Sequence, residues 1–527
     1  MVSNRTDYDD TLQKIADNLF GRRDFNTTRT PGRNRKQRIY DDTASQLLDM
    51  LSGAMHSLTI NPAEIWYDLR FSEESLNENQ NAAIWLTDVK KRLFNALNSS
   101  RANLHSQVAE MFIDLCGFGT GGLFIDEVPG RGVQFSNRPL QELYLTEDAA
   151  GVVHSVARCF KLTAEQAVAA FGEKAKQANR SIARNGFEDK CEYRQLIVPV
   201  ESDEVRRLAE TQMPFASFLI SCEDHAVMSS GGFHEMPIVT PRWSKEPGEV
   251  YGRGCGHNAL SNGAGLNEQK KAGLMTAQLA VAPPFIYDQE GVMPGDVAWA
   301  PRALIPVDTT TSQLNPPLQE LRTNARWDVS KDLLTMDQES VRAAFHWPLL
   351  QTLQNPHMTA THVLELSSQQ QRHIAPILGR LATEALDPLL SRVFAIESRA
   401  GRIPPPPPEV LEGVAGNEND IRFDYVSPVF RALRASAARS IIDYASTISN
   451  LSSVVPDVLD VVDMDEGARE LARELGVPPS MVKSAVQVEE IRDARNQAAA
   501  EDMSKQDAVT LTDQVAKLAK AAPNAAA

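Results

Sequence analysis

The chain has 527 residues, 42% apolar and 23% charged, with a net charge of −16 at pH 7. That length exceeds what one core accommodates and predicts roughly three or four units of about 150 residues. The acidic balance argues against a protein that grips nucleic acid over its whole surface. Five dispersed cysteines without CxxC spacing argue against a disulfide framework or structural zinc, and the lack of an eighteen-residue apolar run argues against a membrane span.

The opening residues, MVSNRTDYDD, lack the apolar core of a secretory signal. Between Gly21 and Arg38 stand seven Lys/Arg (Arg22, Arg23, Arg29, Arg33, Arg35, Lys36, Arg38) against one acid, Asp24. Residues 1–39 therefore read as a basic flexible arm, fit to meet nucleic acid or to tuck against an acidic neighbouring subunit. From Asp41 onward apolar residues at 47, 48, 51, 55 and 58 give helical spacing, with Thr43 or Ser45 as N-cap. Ile65-Trp66-Tyr67 then leads into a short strand. WLTDVKKRLFNAL and HSQVAEMFIDL predict two further helices between Ala82 and Leu115.

Gly117-Phe118-Gly119-Thr120-Gly121-Gly122 fits the letters GxGxxG. A dinucleotide site needs a strand, then the glycines, then a helix whose N-terminus meets the pyrophosphate. Here a helix comes first and Leu123-Phe124-Ile125 reads as the strand, so the glycines predict a helix stop and a tight turn. A soluble nucleotide-binding α/β enzyme using Gly117–Gly122 is the alternative this segment leaves open.

Residues 138–172 predict a hairpin (strand 143–145, turn at Asp148-Ala149-Ala150-Gly151, return from Val152 to Phe160) and then a helix. Thr163 and Gln166 form its capping box and Gly172 its stop. Strands are expected at 195–200, 215–222 and 225–228, joined by Pro237 to Trp243 in a small mixed sheet. Tyr251-Gly252-Arg253-Gly254 opens a helix with no strong breaker from Leu266 to Ala282, and Pro283-Pro284 stops it. Seven prolines between 283 and 317 exclude a long helix there. Helical spacing resumes from Leu318 to Phe345. At about 1.5 Å per residue the second helix would span roughly 40 Å and the first roughly 25 Å, which describes a stalk with a knob at its end. A polar loop, Leu349 to His357, leads to a long helix from Met358, with Pro376 and Pro388 as expected kinks. GRIPPPPP (401–408) is a stiff linker, and the chain from Ser427-Pro428 is mainly helical.

No GxSxG, P-loop or HExxH occurs, and His357 and His362 at i, i+5 are poorly spaced for one metal. No catalytic, cofactor-binding or metal residue is expected. Several phrases together resemble the portal (head-to-tail connector) proteins of short-tailed, T7-like bacteriophages, the podoviruses. They are the helix before Trp66, the glycine turn at 119–121, the hairpin and helix of 138–172, MTAT at 358–361 with LGRLATEALDPLLSRVF, and GVPPSMVKSAVQVEEIRDARNQ. The resemblance spans about residues 40 to 500. One departure is His362, where relatives usually carry glutamate.

The resemblance implies an α+β multidomain portal fold that forms a ring, with domains following the basic arm of 1–39. An α/β wing would cover 40–257, stem helix 1 258–282, a β-containing clip 283–317 and stem helix 2 318–346. A tunnel loop (347–358), a kinked long helix returning to the wing (359–400), a Pro-rich linker (401–426), a helical crown (427–500) and a C-terminal tail (501–527) would follow. It further implies a dodecamer around a channel for double-stranded DNA, with Gln351, Thr352, Gln354, Asn355 and His357 of the tunnel loop and Lys270 and Lys271 of the stem as channel candidates. Its partners would be terminase, tail adaptor, capsid and scaffolding proteins, without a membrane. It would be assembled in the bacterial host cytoplasm and reside in the virion at one capsid vertex.

Overall fold

A computed structural model describes residues 5–25, 39–73, 76–77, 79–128, 132–209, 211–288, 300–307, 318–320, 327–348, 374–408, 410, 421–426 and scattered helical residues between 442 and 497. The tunnel-loop residues Gln351, Thr352, Gln354, Asn355 and His357, together with His362, lie outside the described residues, as do nearly all of the expected crown and the C-terminal tail. The described elements are mixed α and β. No described helix is long and apolar enough to cross a membrane.

In chain order the first elements are α1 (Thr6–Ile15), extended by a π turn (Ala16–Phe20), and α2 (Thr43–Thr59). Strand β1 (Tyr67–Phe71) precedes α3 (Gln80–Leu97), α4 (Leu104–Phe118), β2 (Leu123–Val128) and β3 (Gly132–Asn137). Next come β4 (Leu143–Glu147), β5 (Val153–Thr163), α5 (Ala164–Phe171), α6 (Lys176–Ala183) and β6 (Lys190–Pro199). They are followed by α7 (Asp203–Ala209), β7 (Phe215–Ser221), β8 (Val227–Phe233), β9 (Ile238–Val239) and the long helix α8 (Cys255–Val281). Strands β10 (Phe285–Asp288), β11 (Leu304–Val307) and β12 (Leu318–Glu320), helices α9 (Trp327–Ala344) and α10 (Asp387–Arg399), and β13 (Ile421–Tyr425) complete the set.

Two compact units result. One holds residues 1–66 and 93–402; the other holds 67–92 and 403–527, so the boundary falls inside α3. In the smaller unit β1 pairs antiparallel with β13, Leu69 facing Phe423, although 350 residues separate the strands' ends. Phe71 stacks on Trp85, whose indole N–H donates to the Pro404 carbonyl at 3.0 Å.

In the larger unit β4 to β8 form a five-stranded sheet in sequence order, antiparallel throughout. One face packs Tyr193, Cys191 and Met228 against α5 and α6. The capping box is present: Thr163 accepts from the Gln166 amide and the Gln166 side chain accepts from Thr163. The expected mixed sheet is corrected in two respects, of which the antiparallel pairing of all five strands is the first. Ile238–Val239 leaves this sheet and pairs with β2 in a separate antiparallel sheet, order β3-β2-β9. Alternation marks a strand but not its partner, and here the glycine turn decides the partner.

Three other expectations change. Residues 5–25 are not a flexible arm: Leu12, Ile15, Leu19 and Phe20 are buried, and Arg22 and Arg23 form ion pairs with Asp49 and Asp114, both at 2.8 Å. Arg5 is buried too, lying over the Tyr144 and Tyr251 rings and donating to the Leu140 and Leu143 carbonyls. The cap of α2 is Asp42, with the Thr43 amide bonded to the Asp41 carboxylate. Leu318–Glu320 is a strand paired antiparallel with β10, which also pairs parallel with β11, and the described helix α9 runs from Trp327 to Ala344. Strand β10 offers Leu318–Glu320 a ladder, and that pairing overrides the helical spacing. Helix α8 gains what α9 loses: its 27 residues span about 40 Å and the 18 of α9 about 27 Å.

Residues 374–381 are helical, then Ala382–Leu386 forms a π turn before α10. Pro388 explains the irregularity between the two expected kinks. It has no N–H for the Glu384 carbonyl, so the i→i−4 ladder breaks there.

Candidate functional site

The glycines at 117–122 and 252–256 form one joint. Helix α4 ends at Gly119, whose φ of +91° is left-handed. A Cβ on Gly119 would lie 2.3 Å from the Gly252 carbonyl oxygen and 2.4 Å from the Gly254 nitrogen. A Cβ on Gly254 would meet the Cys116 carbonyl at 2.7 Å, and one on Gly256 the Gly117 carbonyl at 2.4 Å. Backbone therefore rests directly on backbone, which only glycine permits. Hydrogen bonds complete the contact: the Trp243 amide to the Gly119 carbonyl, the Gly121 amide to Pro241, and the Gly252 amide to the Thr120 hydroxyl at 2.9 Å. The space a pyrophosphate would need is filled by the chain's own turn, so the GxGxxG letters here describe a structural joint.

Side chains close the joint from below. Phe20 meets Phe118 and Phe345 edge-on, at 5.6 and 6.1 Å between centroids, which ties the N-terminal π turn to the end of α4 and the end of α9. Leu19 occupies the place of a side chain at Gly263. These glycines inside α8 weaken its intrinsic propensity, yet Gly256 and Gly263 let the N-terminal segment approach the helix axis. Burial pushes the thiols of Cys116 and Cys255 up, the latter to about 12. At the start of α8, burial first and the nearby Arg253 charge second hold His257 down at about 4, while its Nδ1 accepts from the Gly254 amide.

A buried ionic hub stands beside the joint. Arg242 is 3% exposed and bridges to Thr120 through the backbone. Its guanidinium is bidentate to Glu384 of the π turn (Nε 3.1 Å, Nη2 2.6 Å), pairs with Glu147, and donates to the carbonyls of Gly151 and Val250. Lys245 joins the same Glu147. Burial opposes the Arg242 charge, but Glu384 and Glu147 outweigh it and hold its pKa above the ordinary value. The hub connects the glycine turn, the β4–β5 hairpin and the helix that follows the expected tunnel loop. Sequence reading passed over Arg242, although a lone charge in the apolar run PIVTPRW signals a buried, paired group.

Beyond the joint α8 and α9 run antiparallel. Asn262 donates to Ser340, and Gln269 to Asp337 at 2.8 Å. Of the stem candidates, Lys270 pairs with Asp41 at 2.9 Å, and Lys271 lies 3.7 Å from Glu268 on the surface. In the sequence Asp41 stands only as the start of a helical pattern, with nothing to mark it as a partner of α8. Burial alone would raise its carboxyl, but the bonds from Thr43 and Lys270 hold it below the ordinary range. Further out α8 carries no charged residue from Ala272 to Val281, and Leu274, Met275 and Val281 are exposed, Val281 to 87%. Leu333 and Met336 of α9 are exposed as well, Met336 to 65%.

The family model for the bacteriophage head to tail connecting protein matches residues 1–482. The portal protein of Salmonella phage epsilon15 is 26% identical over 480 residues, covering 88% of this chain and 83% of its own length. The probable portal protein of Bordetella phage BPP-1 is 26% identical over 496 residues, covering 92% and 87%.

Proposed function

The chain belongs to the bacteriophage head to tail connecting proteins, and from that membership we propose that it is the portal subunit of a phage capsid. The observation that carries the reading is the match to the family and to two portal relatives over nearly the whole chain. The subunit is a structural one, and copies of it form a ring at a single vertex, where head meets tail. The helix pair α8–α9 is the stem, the β10–β12 sheet is the clip at its end, and the elements around the glycine joint belong to the wing.

The exposed apolar residues of the stem support the ring. Leu274 and Val281 lie on α8, Leu333 and Met336 on α9, and such surface calls for cover. A neighbouring copy covers it through a heterologous contact, the kind that closes into a ring when the rotation fits. Twelve copies enclose a bore for double-stranded DNA, with Lys271 at the stem and Gln351, Thr352, Gln354, Asn355 and His357 of the loop as residues that meet it. Terminase docks during genome entry, tail adaptors afterwards, and capsid and scaffolding proteins surround the ring. Assembly takes place in the host cytoplasm. Purified protein imaged by negative-stain microscopy is expected to show rings with a central hole; a stable monomer or dimer under all conditions overturns the reading.

A further inference from the structure

The α8–α9 seam is polar where its partners are identified. Asn262 meets Ser340 and Gln269 meets Asp337. Side-chain hydrogen bonds near water each contribute little and tolerate sliding. Around the second of these pairs one short segment from elsewhere in the chain reaches both helices, at Asn267 and Lys270 of α8 and at Gln338 of α9. The Tyr40 amide donates to Asn267 Oδ1 at 2.5 Å, and Asn267 is buried. Asp41 Oδ2 accepts from Lys270 Nζ at 2.9 Å and from Gln338 Nε2 at 3.2 Å, while its Oδ1 accepts from the Thr43 amide at 2.9 Å. The Asp41 side chain is 4% exposed, against 38% for Lys270.

We propose that residues 40–42 are a strap that holds α8 and α9 in register, with Asp41 as its positioning residue and Lys270 as its cation. A buried carboxylate must keep its donors. Here they come from both helices and from the first turn of α2, and all three are satisfied at once only when Lys270 and Gln338 stand opposite each other. A one-turn slip of either helix, about 5.4 Å, would strand the charge. The same polar logic lets a single buried polar group fix register in coiled coils. The strap follows from these contacts alone and holds whatever passes along the stem.

Hydrogen exchange read by mass spectrometry on the full chain tests it. Asp41→Asn keeps the shape and removes the charge. It is expected to speed exchange by about tenfold in peptides from both helices, leaving peptides of the β5–β7 sheet unchanged. Lys270→Met is expected to act in the same direction, and the double variant no further than Asp41→Asn alone. Gln338→Leu is expected to loosen α9 but not α8. Amine labelling supplies a readout that general loosening would not move: Lys270 should react more slowly than Lys271 in the parent and as fast as Lys271 in Asp41→Asn. Unchanged protection of the helices, additive effects in the double variant, or equal lysine reactivity in the parent overturns the strap. Should Asp41→Asn fail to fold, Lys270→Met with both helices still protected does the same.

Discussion

The root and the outer half of the long helix α8 are built on opposite terms. At the root, Gly254 and Gly256 press onto the carbonyls of Cys116 and Gly117, and Arg242 finds Glu384 and Glu147 within the chain. In the outer half, the segment from Ala272 to Val281 has no charge and leaves Leu274, Met275 and Val281 in water. Close packing admits one arrangement and tolerates no added atom. An exposed apolar helix admits several and is finished only by a partner. One helix thus combines a root completed by its own chain with an outer half whose apolar side chains its own chain leaves uncovered.

Breaking the root should have the largest effect. Gly119→Val places a branched side chain at a positive φ and against the backbone of 252–254, two faults that each act on the folded state. A destabilisation above about 4 kcal/mol is expected, seen as loss of soluble protein or of a cooperative thermal transition. A near-normal Tm would mean that the two glycine segments are not in contact.

Next comes the hub. Arg242→Met keeps the stem of the side chain and strands Glu384 and Glu147, so about 3–5 kcal/mol of stability should be lost in thermal unfolding. Adding Glu384→Gln should recover part of it, because one stranded charge is then neutral.

How much of this could be read from residues alone differs in the same way. Local signals were legible: the Thr163 and Gln166 capping box, the Pro283-Pro284 stop, and the order of helix, glycines and strand around Gly119, which separated a turn from a phosphate cradle. The start of α8 at Cys255 was not, because Gly256 carries no helix signal until Phe20 and Ile15 are seen against it. Nor was the strand Leu318–Glu320, whose partner β10 lies across the insert. Arg242 and Asp41 carry no motif; each acts through groups about 95 to 300 residues away. What the sequence hides is the partner, whenever the partner is distant.

A smaller effect should sharpen the contrast through pH. His257 sits at the root with its pKa held down at about 4 by burial and by Arg253, below the value of about 6.5 for an open chain. The unfolded state then binds the proton more readily between these values. The stability His257 contributes when neutral is therefore full above about pH 6.5 and lost as pH falls towards 4, by about 1–2 kcal/mol after allowance for partial exposure. His56 and His105 are also lowered by burial and add to the parent's acid sensitivity with the same sign. Only a difference between proteins isolates His257: in His257→Asn, Tm should fall less steeply between pH 6.5 and 4 than in the parent. Equal slopes would place that imidazole in water.

The smallest effect on the chain itself should come from the outer half, and there it tells most. Leu274, Val281 and Met336 are exposed, so changing each to Gln removes little buried area and preserves helix propensity except at Val281, the last helical residue. Each should alter unfolding of the separated subunit by no more than about 0.5 kcal/mol. If the outer half is a wall that a second copy covers, the triple variant should nevertheless shift sedimentation from rings to single subunits, since the apolar area it loses is buried only between copies. Intact rings with an unchanged Tm would leave those side chains facing water in the assembly too, and the contrast between a finished root and an unfinished wall would fail at its second term.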